Sequence, residues 1–315
     1  MDAVLYTHTC ADGFGSAVVF AEALGIEYPD VRYSSYAGLL THIEELVSGG
    51  RKDVVVIADM HPTAGLMLEL DKWRKELNVR LLLYDHHKSA SKFATEYGWV
   101  HFDDSMCSAK SMLHRLSNDV LLPWDPDPKT VETVLKVDAW DMWLLSDRYR
   151  EGGEGIARYV DLVGVQQAVT DYLTNNEFMF DPQLARLLGR VETRETGLTA
   201  AGLRLFIIGD VKPVSVGVMY KESARFGFGT VSDLAFDLYP DLDYVVIVRA
   251  LEGAVTIRSN RYNALDLVLQ LGGGGNPRSA GFPLTRPVTI SRAWEEQLVS
   301  SIFTEANVRF YGIPG

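Results

Sequence analysis

Only two of the 315 residues are cysteine, Cys10 and Cys107. Two widely separated thiols give no disulfide framework and point to a reducing, cytoplasmic compartment. Long apolar runs are missing, since none approaches the length of a membrane span. The opening MDAVLYTH lacks the charged region and apolar stretch of a signal peptide. Excess positive charge is missing as well. With 42 acidic and 30 basic residues the formal net charge is -12, and such a chain does not attract long nucleic acid by bulk charge. A local basic cleft, or a small anionic substrate held by metals, is compatible with that balance. Internal repeats are absent, and the one low-complexity tract is GGGG at Gly272 to Gly275. What remains is ordinary globular material, 47% hydrophobic and 23% charged, enough for two domains or one large one.

The first part of the chain alternates short apolar runs with amphipathic stretches. AVLY, VRYSSY, DVVVIAD and VRLLLYD read as strands. FGSAVVFAEALG, LLTHIEELVSGG and PTAGLMLELDKWRKEL read as helices, the first two stopped by glycine and the third opened by Pro62. This β-α-β-α order predicts a doubly wound α/β domain with a parallel sheet. From Cys107 to about Thr174 the pattern turns mostly helical. A charged helical connector follows, and then a second, smaller α/β unit. Its elements are PVSVGVMY, VSDLAFDLY, YVVIVRA, AVTIRSN and ALDLVLQL. The expected boundaries are 1–180, 181–204 and 205–315.

Three strand ends carry polar residues suited to metals. YTHTCADGFGSA follows the first strand, VVVIADMHP ends the third, and LLLYDHHK ends the fourth. Open α/β sheets place their binding crevice at the carboxyl ends of the strands. His8, Cys10, Asp12, Asp59, Asp85, His86 and His87 can therefore converge although they are far apart in sequence. The competing reading, in which Asp12 caps the first helix, leaves Asp59 and the double histidine unexplained. Gly13 and Gly15 are expected to let the backbone turn tightly and to offer amides to an anion.

THTCADGFGSA, IADMHP, YDHHKSA and VDAWDMW resemble, in order, the successive motifs of the DHH phosphoesterase superfamily. Its members include RecJ-type exonucleases, oligoribonucleases, cyclic-dinucleotide phosphodiesterases and manganese pyrophosphatases. TIRSN and GGGGNPRSAGF look like the C-terminal substrate-binding domain of the exonuclease and oligoribonuclease branch. The resemblance implies an N-terminal DHH domain holding two divalent metals, most often Mn2+ with Mg2+ as the alternative. Carried over, Asp59 bridges the metals, His8 and position 10 serve the first, and Asp12, His86 and an aspartate of VDAWDMW serve the second. That aspartate is Asp141, with Asp138 the fallback. His87 would sit beside the scissile phosphate, and Asp85 would orient a histidine.

Cys10 departs from RecJ-like members, which have aspartate there; it is either a ligand or a neighbour of the site. Other members carry a similar C-x-D-G variant. In the second domain Gly273, Gly274 and Gly275 would let backbone amides approach an anion, Arg278 would grip a phosphate, and Arg258 with Ser259 another. Asn276 stands where family members have histidine. His61, His42, His114 and His101 read as surface, helix-entry or packing residues.

The implied activity is hydrolysis of short single-stranded oligonucleotides by two-metal activation of water. Alternatives are hydrolysis of dinucleotides or nucleoside bisphosphates, and a non-catalytic nucleotide-binding module. No membrane partner is expected, and a homodimer is compatible with the sequence.

Overall fold

The computed structural model describes residues 2–26, 30–34, 38–39, 41–42, 46, 52–118, 124–175, 203–209, 213–220, 228–250, 253–284, 291–304 and 308–312. The chain divides into two compact units, Met1–Asp181 and Pro182–Gly315. Most of the expected connector lies outside the described residues.

In the first unit β1 (Ala3–His8), β2 (Val31–Ser34), β3 (Val54–Ala58), β4 (Arg80–Asp85) and β5 (Val100–Phe102) form one sheet in the order β2-β1-β3-β4-β5. Every pairing is parallel. The strands read as unbroken apolar runs because both faces of such a sheet are covered. One face presents Ala3, Leu5, Val54, Val56, Leu82 and Tyr84 to a core shared with Phe14, Val18 and Met112. The other presents Val4, Tyr6, Val55, Ile57, Leu81 and Leu83 to Met67, Leu70 and Trp73.

Helices α1 (Ala11–Leu24), α2 (Ala64–Leu77), α3 (Ser91–Glu96) and α4 (Ser108–Leu116) are followed by α5 (Pro128–Asp141), α6 (Arg150–Val163) and α7 (Val165–Asn175). Pro62 lies just outside α2, whose N-cap is Thr63. Asp127 caps α5 by accepting the Lys129 N–H, with Pro128 in the first turn. The strand order reverses between β1 and β3, so the crevice that a doubly wound sheet leaves at its switch point opens at the ends of these two strands.

The second unit is a mixed sheet in the order β10-β11-β9-β8-β7-β6-β12. Its strands are β6 (Arg204–Ile208), β7 (Val214–Tyr220), β8 (Tyr244–Arg249), β9 (Ala254–Arg258), β10 (Gly274–Asn276), β11 (Ser279–Pro283) and β12 (Val308–Gly312), with helices α8 (Phe228–Leu238), α9 (Ala264–Leu269) and α10 (Arg292–Phe303). Among the described residues of this sheet, only β7 and β8 pair in parallel. GGGGNPRSAGF folds as a hairpin, in which β10 pairs antiparallel with β11. Gly275 has φ +136, and a Cβ on it would lie 2.5 Å from the Ser279 carbonyl oxygen, so glycine is required there by backbone conformation and by the close strand.

Candidate metal centre

His8 closes β1, Asp59 follows β3, Asp85 closes the buried run of β4, and His86 and His87 follow it. Their arrival at one crevice is a consequence of the strand order. Asp59 adopts φ +60, a left-handed conformation that costs a non-glycine residue about 1–2 kcal/mol. Strain of this kind persists where the surrounding structure fixes it, and it concentrates at functional sites. Here the Asp59 N–H is held by the Tyr84 carbonyl at 3.0 Å.

The two oxygens of Asp59 face different partners. Oδ2 lies 2.8 Å from the Cys10 sulfur and 3.8 Å from His8 Nδ1. Oδ1 lies 3.4 Å from His86 Nε2 and 3.9 Å from His87 Nδ1. His86 Nε2 also lies 3.3 Å from Asp141 Oδ2 and 4.0 Å from Asp12 Oδ2. Donor atoms sharing a cation at about 2.1 Å in tetrahedral geometry are about 3.4 Å apart, and the separations here, from 2.8 to 4.0 Å, bracket that value. His8, Cys10 and Asp59 form one cluster of donors within 4.8 Å of one another, and Asp12, His86 and Asp141 form a second. Asp59, His86 and His87 form a third, overlapping group.

The electrostatics are those of clustered, buried carboxylates and imidazoles. Burial and the neighbouring carboxylates of Asp59, Asp141 and Asp12 push the Cys10 thiol up. Burial, then Asp59 and Asp141, push Asp12 up against the opposing pull of His86. Burial works to neutralise His86, but Asp141, Asp59 and Asp12 outweigh it and push its pKa up to about 10. Burial works to raise Asp59, but the three histidines, His86 foremost, hold it down. Burial also opposes the charge on His87, and Asp85 outweighs it, so that this imidazole is shifted upward. Protons on the histidines supply charge that divalent cations can supply instead.

Asp12 does not cap α1. Cys10 is the N-cap, its sulfur accepting from the Gly13 N–H at 3.4 Å. The buried Asp12 carboxylate instead accepts from the Ser108 and Ala109 N–H groups at 2.9 and 2.7 Å, so it ties α1 to the start of α4. Gly13 and Gly15 were expected to shape a turn, and neither has positive φ. Gly13 is required because a Cβ would lie 1.8 Å from the His8 carbonyl oxygen; a Cβ on Gly15 would lie 2.9 Å from Ala109 Cβ. Both glycines allow close packing beside the site.

Asp138 and Asp141 separate cleanly. Asp138 accepts from the Cys107 N–H at 2.8 Å and from the Lys110 ammonium at 2.5 Å, whereas Asp141 joins the cluster. Asp141 is the last residue of α5, whose end is fixed by reversed bonds: Trp143 N–H to Trp140 O and Leu144 N–H to Ala139 O. These define a Schellman motif. Its left-handed position, normally glycine, is Trp143 at φ +57. Arg150 stabilises that turn, with its guanidinium 4.0 Å from the Trp140 ring centre, 4.4 Å from that of Trp143, and a hydrogen bond of 2.9 Å to Trp140 O. No sequence signal singled out Arg150.

The outlying histidines stay outside the three donor groups. His61 meets Ser89 Oγ at 2.9 Å and Pro62 O at 3.1 Å. His101 packs on Tyr84, and burial together with Arg115 and Arg80 pushes its pKa down to about 4.

In the second unit Ser259 differs from the expectation of a phosphate contact. It is fully buried, and its hydroxyl donates to Asp243 O at 2.7 Å while accepting from Arg261 N–H and Tyr262 N–H. It therefore shapes the turn after β9. Asn276 Oδ1 accepts from the Arg278 and Ser279 N–H groups and closes the hairpin, at 3.3 and 2.9 Å. Arg258 ends β9 opposite Ser279. Among the described residues, Arg278 keeps a buried Nη1 without a hydrogen-bond partner. Gly273 and Gly275 each approach the backbone of the neighbouring strand, and Gly274 is open to solvent.

No family model matches the chain, and no curated protein matches it. Solved structures do. RecJ from Thermus thermophilus in complex with Mn2+ superposes with a TM-score of 0.55 at 15% identity, over 96% of this chain and 51% of that one. An exopolyphosphatase-related protein from Bacteroides fragilis gives 0.53 at 12% identity, over 96% and 92%. Exonuclease RecJ bound to manganese gives 0.50 at 16% identity, over 95% and 89%. The chain has the RecJ fold. At these identities the likeness establishes architecture, an α/β protein with a five-stranded parallel sheet and a second sheet, and the chain spans about half of the Thermus RecJ.

Proposed function

We propose that the chain is a metal-dependent phosphodiesterase of the DHH superfamily that hydrolyses short single-stranded oligonucleotides. The observation that carries this is the division of Asp59, one oxygen toward His8 and Cys10 and the other toward His86 and His87, as a carboxylate bridging two cations would be. The residues present fit two divalent ions, with Mn2+ or Mg2+ suited to the oxygen and imidazole donors. Such a pair supplies a nucleophilic water at neutral pH and neutralises charge on a phosphoryl group.

The remaining chemistry belongs to the chain's own side chains. Asp85 accepts from His87 Nδ1 and fixes the imidazole, which is then held to donate a hydrogen bond or a proton to a phosphoryl oxygen as charge develops. His8, Asp12, His86 and Asp141 hold the cations in place. Residues 205–315 bind substrate, with Arg278 and Arg258 on its phosphates and Gly273, Gly274 and Gly275 beside them. The acidic balance and a two-domain organisation favour short substrates in the cytoplasm. Among the described residues no helix is long and apolar enough to cross a membrane. A homodimer accords with this reading.

The test is turnover of end-labelled ribo- and deoxyribo-oligonucleotides, from dinucleotides upward, with manganese, magnesium or no metal. Metal-dependent release of mononucleotides, fastest on the shortest chains, is expected. Turnover confined to dinucleotides or bisphosphates would replace the substrate class. Cation binding without any turnover would leave a nucleotide-binding module. Unchanged turnover after exhaustive chelation would remove the two-cation scheme.

A further inference from the structure

The two donor clusters that share Asp59 are chemically unequal. One offers imidazole, thiol sulfur and carboxylate, from His8, Cys10 and Asp59; the other offers imidazole and carboxylates alone, from His86, Asp12 and Asp141 with Asp59. Oxygen-rich sets suit manganese and magnesium, whereas a thiolate selects softer cations such as zinc. Accordingly we infer that the centre is heterometallic: a thiophilic cation of the zinc class at His8–Cys10–Asp59, and a hard divalent cation at Asp12–His86–Asp141. The inference rests on the two-cation reading above and goes beyond it in assigning different ions to the two positions.

The sulfur is placed for this role. It lies 2.8 Å from Asp59 Oδ2 and 3.4 Å from the Gly13 N–H, so it is held between the bridging carboxylate and the first turn of α1. Binding replaces the thiol proton: the S–H bond breaks, a sulfur–metal bond forms, and the proton leaves to solvent. The charge left on sulfur faces the positive end of a 14-residue helix.

A purely structural role for Cys10 as N-cap is the competing account. Serine, threonine, aspartate and asparagine cap helices better, and none of them brings a soft donor to Asp59. The other thiol, Cys107, is fully buried in the hydrophobic core and belongs to neither cluster.

Cobalt(II) reports on both positions at once. The full chain loaded with cobalt should show visible d–d bands together with a near-ultraviolet sulfur-to-cobalt charge-transfer band. The charge-transfer band should vanish in Cys10→Asp and persist in Cys107→Ser, while the d–d bands remain in both. Cys10→Asp keeps a capping side chain at the start of α1, so the fold is retained. In competition dialysis, wild type should retain about one equivalent of zinc against excess manganese. Cys10→Asp should lower that preference by at least about tenfold, the smaller loss found when even an outer partner of a metal ligand is removed.

Visible bands without a sulfur band in wild type would overturn the heterometallic assignment and leave two cations in place. The same zinc preference in wild type and Cys10→Asp would also overturn it. Absence of all cobalt bands would overturn both this assignment and the two-cation reading.

Discussion

Asp85 takes two hydrogen bonds from His87, one from its backbone N–H at 3.1 Å and one from Nδ1 at 2.7 Å. The pair fixes both the ring's position and its tautomer, since Nδ1 must carry the proton given to a carboxylate. Asp85→Asn keeps the size but can present an N–H toward Nδ1 and reverse the tautomer. Its expected effect is a fall in kcat of about 10- to 100-fold, by analogy with the range for partners that orient metal-ligating imidazoles, with little change in cation affinity. Unaltered kcat on a short oligonucleotide would remove His87 from proton transfer.

Cation binding should release protons. In the metal-free fold the His86 pKa is pushed from 6.5 up to about 10, so this imidazole is protonated at neutral pH and its proton must leave before Nε2 can ligate. The stabilisation from charged His86 in the metal-free protein is complete below about 6.5 and is lost as pH rises through about 10. Affinity for manganese therefore rises with pH across that window. Calorimetric titrations in buffers of different ionisation enthalpy should give different apparent heats; identical heats would show that no proton is displaced.

How far the sequence could reach is clear from the aspartates of VDAWDMW. They stand three residues apart on one helix, so both fall on nearly the same face, and periodicity alone cannot separate them. Lys110 and the Cys107 N–H, which engage Asp138, are tertiary partners invisible to local pattern. The parallel sheet and the donor side chains at the strand ends were legible because unbroken apolar runs and their polar termini are local. Ser259 shows the opposite case. Its hydroxyl is engaged by Asp243 O, 16 residues before it in the chain, a contact that no neighbouring residue announces. The glycine run became a hairpin because an edge strand of glycines has no alternating side chains by which to recognise it.

Arg150 braces the turn that ends α5, of which Asp141 is the last residue. Removing its guanidinium from Trp140 and Trp143 and its bond to Trp140 O should cost about 2 kcal/mol of stability, from stacking and a charged hydrogen bond. A structural role alone would stop there. If the turn also aims Asp141, Arg150→Ala weakens manganese binding at the Asp12–His86–Asp141 cluster while a cation on His8 and Cys10 is retained. Equal loss from both positions would deny it the positioning role.

Arg278, in the glycine hairpin, carries a buried Nη1 with no hydrogen-bond partner among the described residues. A phosphate oxygen would satisfy it. Arg278→Ala should raise KM for short oligonucleotides by about tenfold or more, corresponding to at least about 1.4 kcal/mol, and leave hydrolysis of a small aryl phosphodiester nearly unchanged. Comparable losses on both substrates would mean that Arg278 maintains the fold.

At Asp59 the backbone gives an unusual mutational order. Both Asp59→Ala and Asp59→Gly delete the carboxylate shared by the two donor clusters, and on the proposed reading both should abolish turnover. They differ in the backbone, for φ is +60 at this position. Alanine keeps a Cβ that opposes the left-handed conformation, while glycine adopts it freely. The glycine variant should therefore be the more stable of the two by about 1 kcal/mol, the reverse of their order in a helix or strand. Urea unfolding of the two metal-free proteins measures this directly. A higher midpoint for alanine would mean that the chain relaxes out of the left-handed conformation once the carboxylate is gone, and that the strain belongs to the ligand set and not to the strand end.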